Sequence, residues 1–406
     1  MTLKDNHFPV LSELTWVFTA NFLERFAYYA FRAVIVLIMV GEGIEGLGIP
    51  QDEALLLYAE FTAYTYLALL IGAISGDLIF GAFRSSLIGL AIMSLGFIYL
   101  NFATDQTIKL TLVIIAIGAG LVKPNFQSLI AFQFNNRQGK YVSLFMAQYF
   151  LVNLGAMLSG LAVGLLSLYF SYYSGFYIAL LSTGLAFFCL YLTKKRLSND
   201  SFSAHINQVR DNSKPLLIVP LMLAVCSISF IFWLLFELTH FPIYQSYPQK
   251  MENLGSVING IIVFIMTVFC AFLFWNITFR TWLKPLLGVI TFALGLTVFS
   301  TFEHSGFEIS YLIVVLMIMH SIAEVLIGPV LFAIVAKYAP RKFMSTFFTL
   351  LILAGYLSSL LLAPLSSITF DNQHIALFCV LLALLLFLLF KQIIPRLEHT
   401  KSELKI

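Results

Sequence analysis

Long apolar stretches alternate with short polar ones along the whole chain. Twelve apolar stretches can be separated, and each is close to the ~20 residues that cross a bilayer core as a helix. Backbone groups in lipid must be hydrogen-bonded within their own segment, so such stretches are expected to be helical. The predicted spans are 14–40, 54–82, 85–102, 107–133, 140–169, 172–193, 215–238, 252–278, 284–302, 309–338, 341–367 and 373–393.

The longest polar stretch, 194–214, divides these spans into two sets of six. The pattern therefore predicts an all-α membrane protein with twelve transmembrane helices in two six-helix bundles. The N-terminal bundle is expected over 1–193 and the C-terminal bundle over 215–393. We expect 194–214 to be a cytoplasmic linker and 394–406 a cytoplasmic tail.

Composition supports lipid as the solvent, because 60% of the 406 residues are hydrophobic and 11% are charged. Soluble domains carry about a quarter charged residues. The net charge of +3 gives no reason to expect nucleic acid as a partner. The sequence has no phosphate-binding glycine loop, zinc-ligand motif or nucleophile constellation, so we expect neither an enzyme nor a metal or other cofactor. The four cysteines lie in apolar stretches and are interpreted as packing residues: Cys189, Cys226, Cys270 and Cys379.

The loop charges orient the chain. With a cytoplasmic N-terminus, the outer loops hold Lys109 and Lys250, whereas all other loop lysines and arginines fall on the inner side. Because basic loops stay in the cytoplasm, both termini are predicted to be cytoplasmic. The first apolar stretch is too long for a signal peptide, which favours an integral protein of a bacterial inner membrane.

Seven ionisable residues lie inside the predicted spans, where a charge costs several kcal/mol unless it is paired or faces water. They are Glu24, Arg25, Arg32, Glu60, Lys123, Glu237 and Glu324. Together they predict a polar central pathway.

On the first helix, one stripe of about three turns carries five polar side chains: Asn21, Glu24, Arg25, Tyr28 and Arg32. An ion pair accounts for Glu24 and Arg25, but Arg32 has no acid one turn away on its own helix.

Several segments resemble the proton-coupled oligopeptide transporter (POT) family of the major facilitator superfamily. The run NFLERFAYYAFRA, starting at Asn21, is similar to the family pattern ExxERFxYYxxR, and GAGLVKPNFQ is similar to its segment around a buried lysine, here Lys123. YFLVNLGA resembles the family's fifth-span motif. FWLLFE and AEVLIGPV are similar to the segments that place Glu237 and Glu324.

The resemblance implies a monomeric transporter in the lipid bilayer that imports di- and tripeptides by alternating access, coupled to protons. Arg32 and Lys123 would receive the peptide carboxylate and Glu324 its amino group. The implied substrate-binding residues between the two halves are Tyr28, Tyr29, Arg32, Tyr66, Lys123, Asn153, Asn259 and Glu324. The implied coupling and gating positions are Asn21, Glu24, Arg25, Lys123 and Glu237.

The chain departs from the family pattern at three positions. Asn21 stands where the family has a glutamate, which removes one titratable group and puts proton coupling in question. Gly328 replaces a serine, and Leu238 replaces the glutamine that follows the seventh-span acid. Two further residues are expected near the site. Glu60 would lie at the depth of Arg32 and pair with it, or else face a polar group of a neighbouring helix. His320, one turn before Glu324, would tune that acid or serve as an ordinary helix contact.

Asp77 and Arg84 end the second span in a loop similar to one of the superfamily, and we expect them to latch it.

Three alternative functions stay open at this point. A carrier of nitrate or another small anion would not need Glu324. An uncoupled peptide facilitator would have lost its proton step with the missing glutamate. A membrane receptor would bind peptide without moving it.

Overall fold

The computed structural model describes residues 9–42, 46–132, 141–194, 197, 215–246, 248–276, 280–303, 305–365 and 371–403. Over these residues the chain forms twelve α-helices. They are α1 (Pro9–Val40), α2 (Gln51–Ile74), α3 (Ala82–Leu100), α4 (Ile108–Phe132), α5 (Tyr141–Ser167), α6 (Ser174–Leu192), α7 (Pro215–Ser246), α8 (Pro248–Asn276), α9 (Leu283–Phe302), α10 (Ile309–Tyr338), α11 (Met344–Leu365) and α12 (Asn372–Glu403). A π-helical turn, Ser75–Ile79, extends α2, and a 3₁₀ turn, Arg341–Phe343, precedes α11.

The predicted all-α fold with twelve helices is confirmed. Eleven helices in the described part are long and apolar enough to cross a membrane, and the chain is an integral membrane protein. The remaining helix, α1, carries Glu24, Arg25 and Arg32, which lower its hydropathy. Two boundaries differ clearly from the prediction, because α7 continues to Ser246 instead of ending at 238 and α12 continues to Glu403 instead of ending at 393.

By its internal contacts the chain separates into two compact units. Unit 1 comprises Met1–Asn136, Leu151–Val209 and Arg341–Thr349, and unit 2 comprises Arg137–Phe150, Arg210–Pro340 and Leu350–Ile406. The first part of α5 thus belongs to unit 2 and the start of α11 to unit 1. Most of the predicted linker, 194–214, lies outside the described residues, so the division into two bundles around it stays a prediction.

Small residues let the helices of unit 1 approach closely. A Cβ on Gly72 of α2 would lie 2.1 Å from the carbonyl oxygen of Gly120 in α4, and one on Gly118 would lie 2.6 Å from the backbone nitrogen of Met93 in α3. Any side chain at these glycines would push the helices apart. The close approach matters for the site, since Lys123 follows Gly120 by one turn of α4.

In unit 2, α10 is the central helix and packs against α7, α8 and α9, while α12 packs against α7 and α9. Side chains along much of α10 are buried, including the polar ones of His320, Ser321 and Glu324. Pro329 lies inside α10 and has no N–H to donate to the carbonyl of Val325. A buried acid thus lies one turn before an interruption in the helix hydrogen bonds.

Candidate functional site

Glu24 and Arg25 of α1 bind each other in unit 1. The Arg25 guanidinium donates two hydrogen bonds to the Glu24 carboxylate, one of them from Nε to Oε2 over 2.5 Å. Glu24 is 0% exposed and Arg25 is also buried. Arg25 additionally lies over the Tyr28 ring, 5.0 Å from its centre. The expected ion pair is therefore present, and it satisfies both charges locally.

Arg32, two turns further along α1, is held by aromatic side chains. Its Nε donates a hydrogen bond of 2.6 Å to the Tyr58 hydroxyl, and its guanidinium lies 5.3 Å from the centre of the Tyr58 ring and 5.8 Å from that of Tyr28. Tyr29 packs edge-on against Tyr28. Among the residues that the structure describes, no carboxylate lies within salt-bridge distance of Arg32. A guanidinium without a carboxylate partner is suited to bind a planar anion.

The hypothesis that Glu60 pairs with Arg32 is wrong in this structure. Glu60 accepts a salt bridge of 2.8 Å from Lys109 at the start of α4, and the Tyr64 hydroxyl donates to it over 3.4 Å. The side chains of Lys109 and Glu60 are 54% and 31% exposed. Tyr58, two residues earlier on α2, takes the expected place beside Arg32. The alternative expectation, a polar group on a neighbouring helix, describes Glu60 correctly.

Lys123 lies on α4 directly before Pro124 and is half-buried. Its ammonium lies 5.3 Å from the centre of the Tyr66 ring on α2. Electrostatic interactions reach it from Arg25, Glu24 and Arg32. Within the described residues no carboxylate forms a salt bridge with it. Lys123 and Arg32 therefore form a cationic site in unit 1, which we call the cationic pole.

Asn21 and Asn153 give less information about the site. Asn21 is buried on α1, and Asn153 is half-buried on the part of α5 that belongs to unit 1. Glu237 is half-buried on α7 of unit 2. The structure gives no contact that assigns any of the three to substrate or proton binding, so their predicted roles stay predictions.

Asp77 binds the first turn of α11 and not Arg84, which is exposed. Its Oδ1 accepts from the backbone N–H of Ser345 over 3.0 Å, and its Oδ2 accepts from both the N–H and the hydroxyl of Thr346 over 2.7 Å each. These N–H groups have no partner within their own helix, and the helix dipole favours an acid there. The predicted Asp77–Arg84 latch is corrected accordingly.

Asn125 strengthens this contact from α4. The Ser345 hydroxyl donates to Asn125 Oδ1 over 3.0 Å, while Asn125 Nδ2 donates to the Gly72 carbonyl over 2.9 Å. A Cβ on Gly76 would lie 1.8 Å from Asn125 Oδ1, so glycine is required there. The sequence prediction missed Ser345, Thr346 and Asn125, although Asn125 belongs to the motif that carries Lys123.

Glu324 is the acidic counterpart in unit 2, and we call it the acidic pole. The Tyr149 hydroxyl donates to its Oε1, and Asn259 Nδ2 donates to its Oε2 over 3.0 Å. Asn259 also donates to the Ser321 hydroxyl over 3.1 Å. Glu324 is 7% exposed, and within the described part of the chain it has no cationic partner. A Cβ on Gly328 would lie 3.7 Å from the Tyr149 ring.

Tyr149 and Ser321 are therefore site residues that the sequence reasoning missed. The signal was present for Tyr149, since it is the aromatic residue that opens the motif containing Asn153. In the described part of the chain, His320 forms no hydrogen bond with Glu324. Its ring stacks on Phe292 of α9 with 4.0 Å between centres, and its Nδ1 lies 3.2 Å from Nε2 of His240 on α7. The expectation of an ordinary helix contact describes this histidine.

Residues 17–363 match the sequence profile of the Major Facilitator Superfamily. The chain belongs to this superfamily. Its members are transporters, in agreement with the expectation that the chain is not an enzyme. A di-/tripeptide transporter of Lactococcus lactis subsp. lactis is 24% identical over 62% of this chain and 52% of its own length. An uncharacterized transporter of Bacillus subtilis is 29% identical over 44% of this chain and 37% of its own.

A third relative, a dipeptide and tripeptide permease A of Proteus mirabilis, is 31% identical over 36% of this chain and 30% of its own length. The chain thus spans about half the length, or less, of these curated relatives. The predicted resemblance to the oligopeptide transporter family is confirmed by them.

Solved structures establish the fold over nearly the full chain. A peptide transporter POT in complex with sulfate has a TM-score of 0.62 at 20% identity, covering 95% of both chains. A second POT family transporter, crystallised in meso, has a TM-score of 0.61 at 16% identity, covering 94% of this chain and 98% of the other.

Proposed function

We propose that this protein imports di- and tripeptides across a bacterial inner membrane by alternating access, driven by protons. One observation carries the proposal: among the described residues, Arg32 and Lys123 of unit 1 have no carboxylate partner, and unit 2 holds a buried acid bound by neutral donors. A zwitterionic peptide carries the complementary charges at its two ends. The names of the Lactococcus and Proteus relatives support peptides as the substrate class.

At the cationic pole, Arg32 and Lys123 would receive the peptide carboxylate. The Arg32 guanidinium keeps Nη donors available, because the Tyr58 hydroxyl occupies its Nε. A bidentate guanidinium–carboxylate pair gains strength in a site that excludes water. Tyr28, Tyr29 and Tyr66 would surround the carboxylate end with aromatic faces.

At the acidic pole, the peptide amino group would replace a neutral donor on Glu324. An ammonium offers three N–H donors and a charge, whereas Tyr149 and Asn259 offer one neutral hydrogen bond each. The exchange favours bound peptide without leaving the acid unsatisfied in the empty state. Asn153 is proposed as a further substrate-binding residue.

For proton coupling, the acids at hand are Glu24 and Glu237. Protonation of Glu24 would end its ion pair with Arg25 and leave that guanidinium, next to Lys123, without its counter-charge. The electrostatics of the cationic pole would then change with each proton bound. This chain would run that step without the family glutamate at position 21.

Asp77 is proposed to gate the pathway by holding the start of α11. Asp77→Asn should remove the charge from the three hydrogen bonds that Asp77 accepts from Ser345 and Thr346, and weaken the contact by about 1.5–3 kcal/mol. We expect a lower melting temperature and altered peptide exchange rates in reconstituted protein. Arg84→Gln, an exposed control in the adjacent turn, should change neither. An equal effect of both substitutions would show that the loop, and not the Asp77 contact, is responsible.

The proposal also includes orientation and assembly. The positive-inside pattern supports cytoplasmic termini, and a monomer is expected by analogy with the superfamily. A cytoplasm-dependent reporter fused after the last residue would be active if the C-terminus is inside, and inactive otherwise. The mass of the protein in lipid nanodiscs would distinguish a monomer from a dimer.

Dipeptide uptake into proteoliposomes tests the function. We expect accumulation of a radiolabelled dipeptide when the lumen is alkaline and negative relative to the outside, with a strong decrease after a protonophore is added. Peptide exchange without stimulation by the gradient would indicate an uncoupled facilitator. Nitrate uptake without peptide uptake would overturn the substrate assignment, and peptide binding without flux would indicate a receptor.

A further inference from the structure

A groove on the surface of unit 2 lies between α9 and α12. It encloses about 350 Å³ and is lined only by apolar side chains: Leu283, Leu286, Leu287, Ile290, Val380, Ala383, Leu384 and Phe387. Its floor is formed by the buried Leu286 and Ala383, while its walls are exposed leucine, isoleucine and valine side chains. Ala383 has the smallest side chain of the eight lining residues, so it leaves the most space at the floor.

The ring of Trp282, next to Leu283, packs against Phe387, which places Leu283 and Phe387 at one end of the groove. As the ninth and twelfth spans of the predicted topology, α9 and α12 are expected to run antiparallel, so that Ile290 and Val380 lie at the other end. Seven residues on each helix correspond to about 10 Å at a rise of about 1.5 Å per residue. The groove is therefore a narrow channel along the helix axes, which suits one extended hydrocarbon chain.

Basic side chains lie at the Leu283–Phe387 end. Lys391 follows Phe387 by one turn of α12, with its ammonium 5.9 Å from the centre of that ring. Arg280 lies one turn before Leu283, whose N–H donates to the Arg280 carbonyl over 3.1 Å. Both basic side chains are exposed. The charge therefore lies at one end of the groove and not along it.

Trp282 lies next in sequence to the Arg280 end of α9 and packs against the Lys391 end of α12. Its ring packs against Phe387 and Phe390 of α12, with centres 5.7 Å and 6.4 Å apart. Tryptophan is enriched where a membrane protein passes from hydrocarbon to headgroups. This end of α9 is also the end that the loop charges place on the cytoplasmic side. Along the groove, apolar residues are followed by an interfacial tryptophan and then by basic residues. This order matches the acyl chain, the interfacial region and the anionic headgroup of a phospholipid.

Glu398 is the acid that interacts with Arg280. Its carboxylate already accepts hydrogen bonds from Lys337 Nζ over 2.7 Å and from the Tyr338 hydroxyl over 2.8 Å. Because Lys337 offsets the charge of Glu398, the charge of Arg280 stays available to another anion. Lys391 forms no salt bridge within the described residues.

We propose that the α9–α12 groove binds one anionic phospholipid of the cytoplasmic leaflet. One acyl chain occupies the groove over Ala383, and the headgroup phosphate lies between Arg280 and Lys391. Anionic lipids of that leaflet are held by juxtamembrane basic residues with about 1 kcal/mol each. The lining of the groove does not include Glu324 or the residues that bind it, and the proposal does not depend on what the protein transports.

Native mass spectrometry of protein reconstituted with phosphatidylglycerol or phosphatidylcholine of identical acyl chains tests the headgroup half. We expect one retained phosphatidylglycerol, and a preference over phosphatidylcholine that falls about fivefold in Arg280→Gln or Lys391→Gln and about 30-fold in the double variant. Lys342→Gln, an exposed basic residue on another loop of the same predicted side, is the matched control. Equal retention of both lipids, or an unchanged preference in the double variant, would overturn the proposal.

Ala383→Leu tests the acyl-chain half, because a larger side chain fills the floor of the groove. We expect loss of the retained lipid whatever its headgroup, with the melting temperature measured alongside to verify folding. Retention of the lipid in this variant would sink the groove assignment. Competition by inorganic phosphate as strong as that by phosphatidylglycerol would show an anion site without a lipid. These readouts require no flux, so a failure of the peptide proposal leaves them interpretable.

Discussion

The cationic pole of unit 1 and the acidic pole of unit 2 both stabilise ionisable side chains with neutral partners, although their charges are opposite. Within the described residues, each holds an ionisable group inside a membrane protein without a partner of opposite charge. In unit 1, the Tyr58 hydroxyl accepts from Arg32, and aromatic faces surround the cations. In unit 2, Tyr149 and Asn259 donate to Glu324. Neutral groups of the matching polarity thus satisfy both charges.

The Glu24–Arg25 pair shows what the alternative would be. There both charges are buried and neutralise each other, and a ligand would gain little by displacing either one. Under the proposed function the poles differ, because a charged group of the substrate would replace their neutral partners. The comparison teaches that burial of an ionisable residue is not the mark of a binding site. We propose that the mark is an ionisable group in a membrane-spanning helix whose partners are neutral.

Glu324→Gln should break the acidic pole and have the largest effect. The amide keeps the volume and one acceptor, but it removes the charge that an ammonium requires. Loss of one partner of a buried charge pair costs about 2–5 kcal/mol, so uptake of a zwitterionic dipeptide should fall at least about 30-fold. The measurement is initial uptake into proteoliposomes.

An N-acetylated dipeptide separates this prediction from general damage, since it has no ammonium group. Its uptake should be poor in the native protein and nearly unchanged by Glu324→Gln. If the substitution reduced both substrates by the same factor, Glu324 would act in folding or in the transport cycle and not in amine recognition.

Tyr58→Phe should weaken the cationic pole by a smaller amount. The ring that covers Arg32 stays, while the hydrogen bond from Nε is lost, and such a bond contributes about 0.5–1.5 kcal/mol. We expect peptide affinity to change by about 2- to 10-fold. Displacement of a labelled peptide from protein in nanodiscs gives the affinity directly.

Tyr64→Phe is the matched control, because Tyr64 lies on the same helix and contacts Glu60 instead. It should leave peptide affinity unchanged. Equal changes for the two phenylalanine variants would mean that α2 responds as a whole, and the specific contact between Tyr58 and Arg32 would lose its assigned role.

Much of this arrangement could be predicted from sequence. Apolar length gave all twelve helices, and the ionisable residues within them identified Arg32, Lys123 and Glu324 as exceptions to a lipid solvent. Motif resemblance added Asn259, which the structure brings to Glu324. These features depend on one helix at a time or on a family pattern.

The partners of each charge could not be predicted, because they depend on the rotation of one helix against another. The depth argument found the correct turn of α2 for a contact with Arg32 but the wrong face, so that Glu60 was named in place of Tyr58. Ser345 and Thr346 lay outside any motif, and their role arises from the free N–H groups at the start of α11. A helical period specifies which residues share a face, but not what that face meets.

Glu60→Gln should have the smallest effect. It tests whether the ion pair between Glu60 and Lys109 contributes to the function of the cationic pole. The salt bridge with Lys109 is half-exposed, and such pairs contribute about 0.2–1 kcal/mol. Uptake and its pH dependence should stay within about fivefold of the native values. Lys109→Gln should give the same result, and the double variant should add nothing beyond either single one.

If Glu60→Gln instead changed the pH profile while Lys109→Gln did not, Glu60 would leave Lys109 for Arg32 at another stage of the cycle. The cationic pole would then have a titratable partner in that state, and the contrast with the acidic pole would hold for only one conformation.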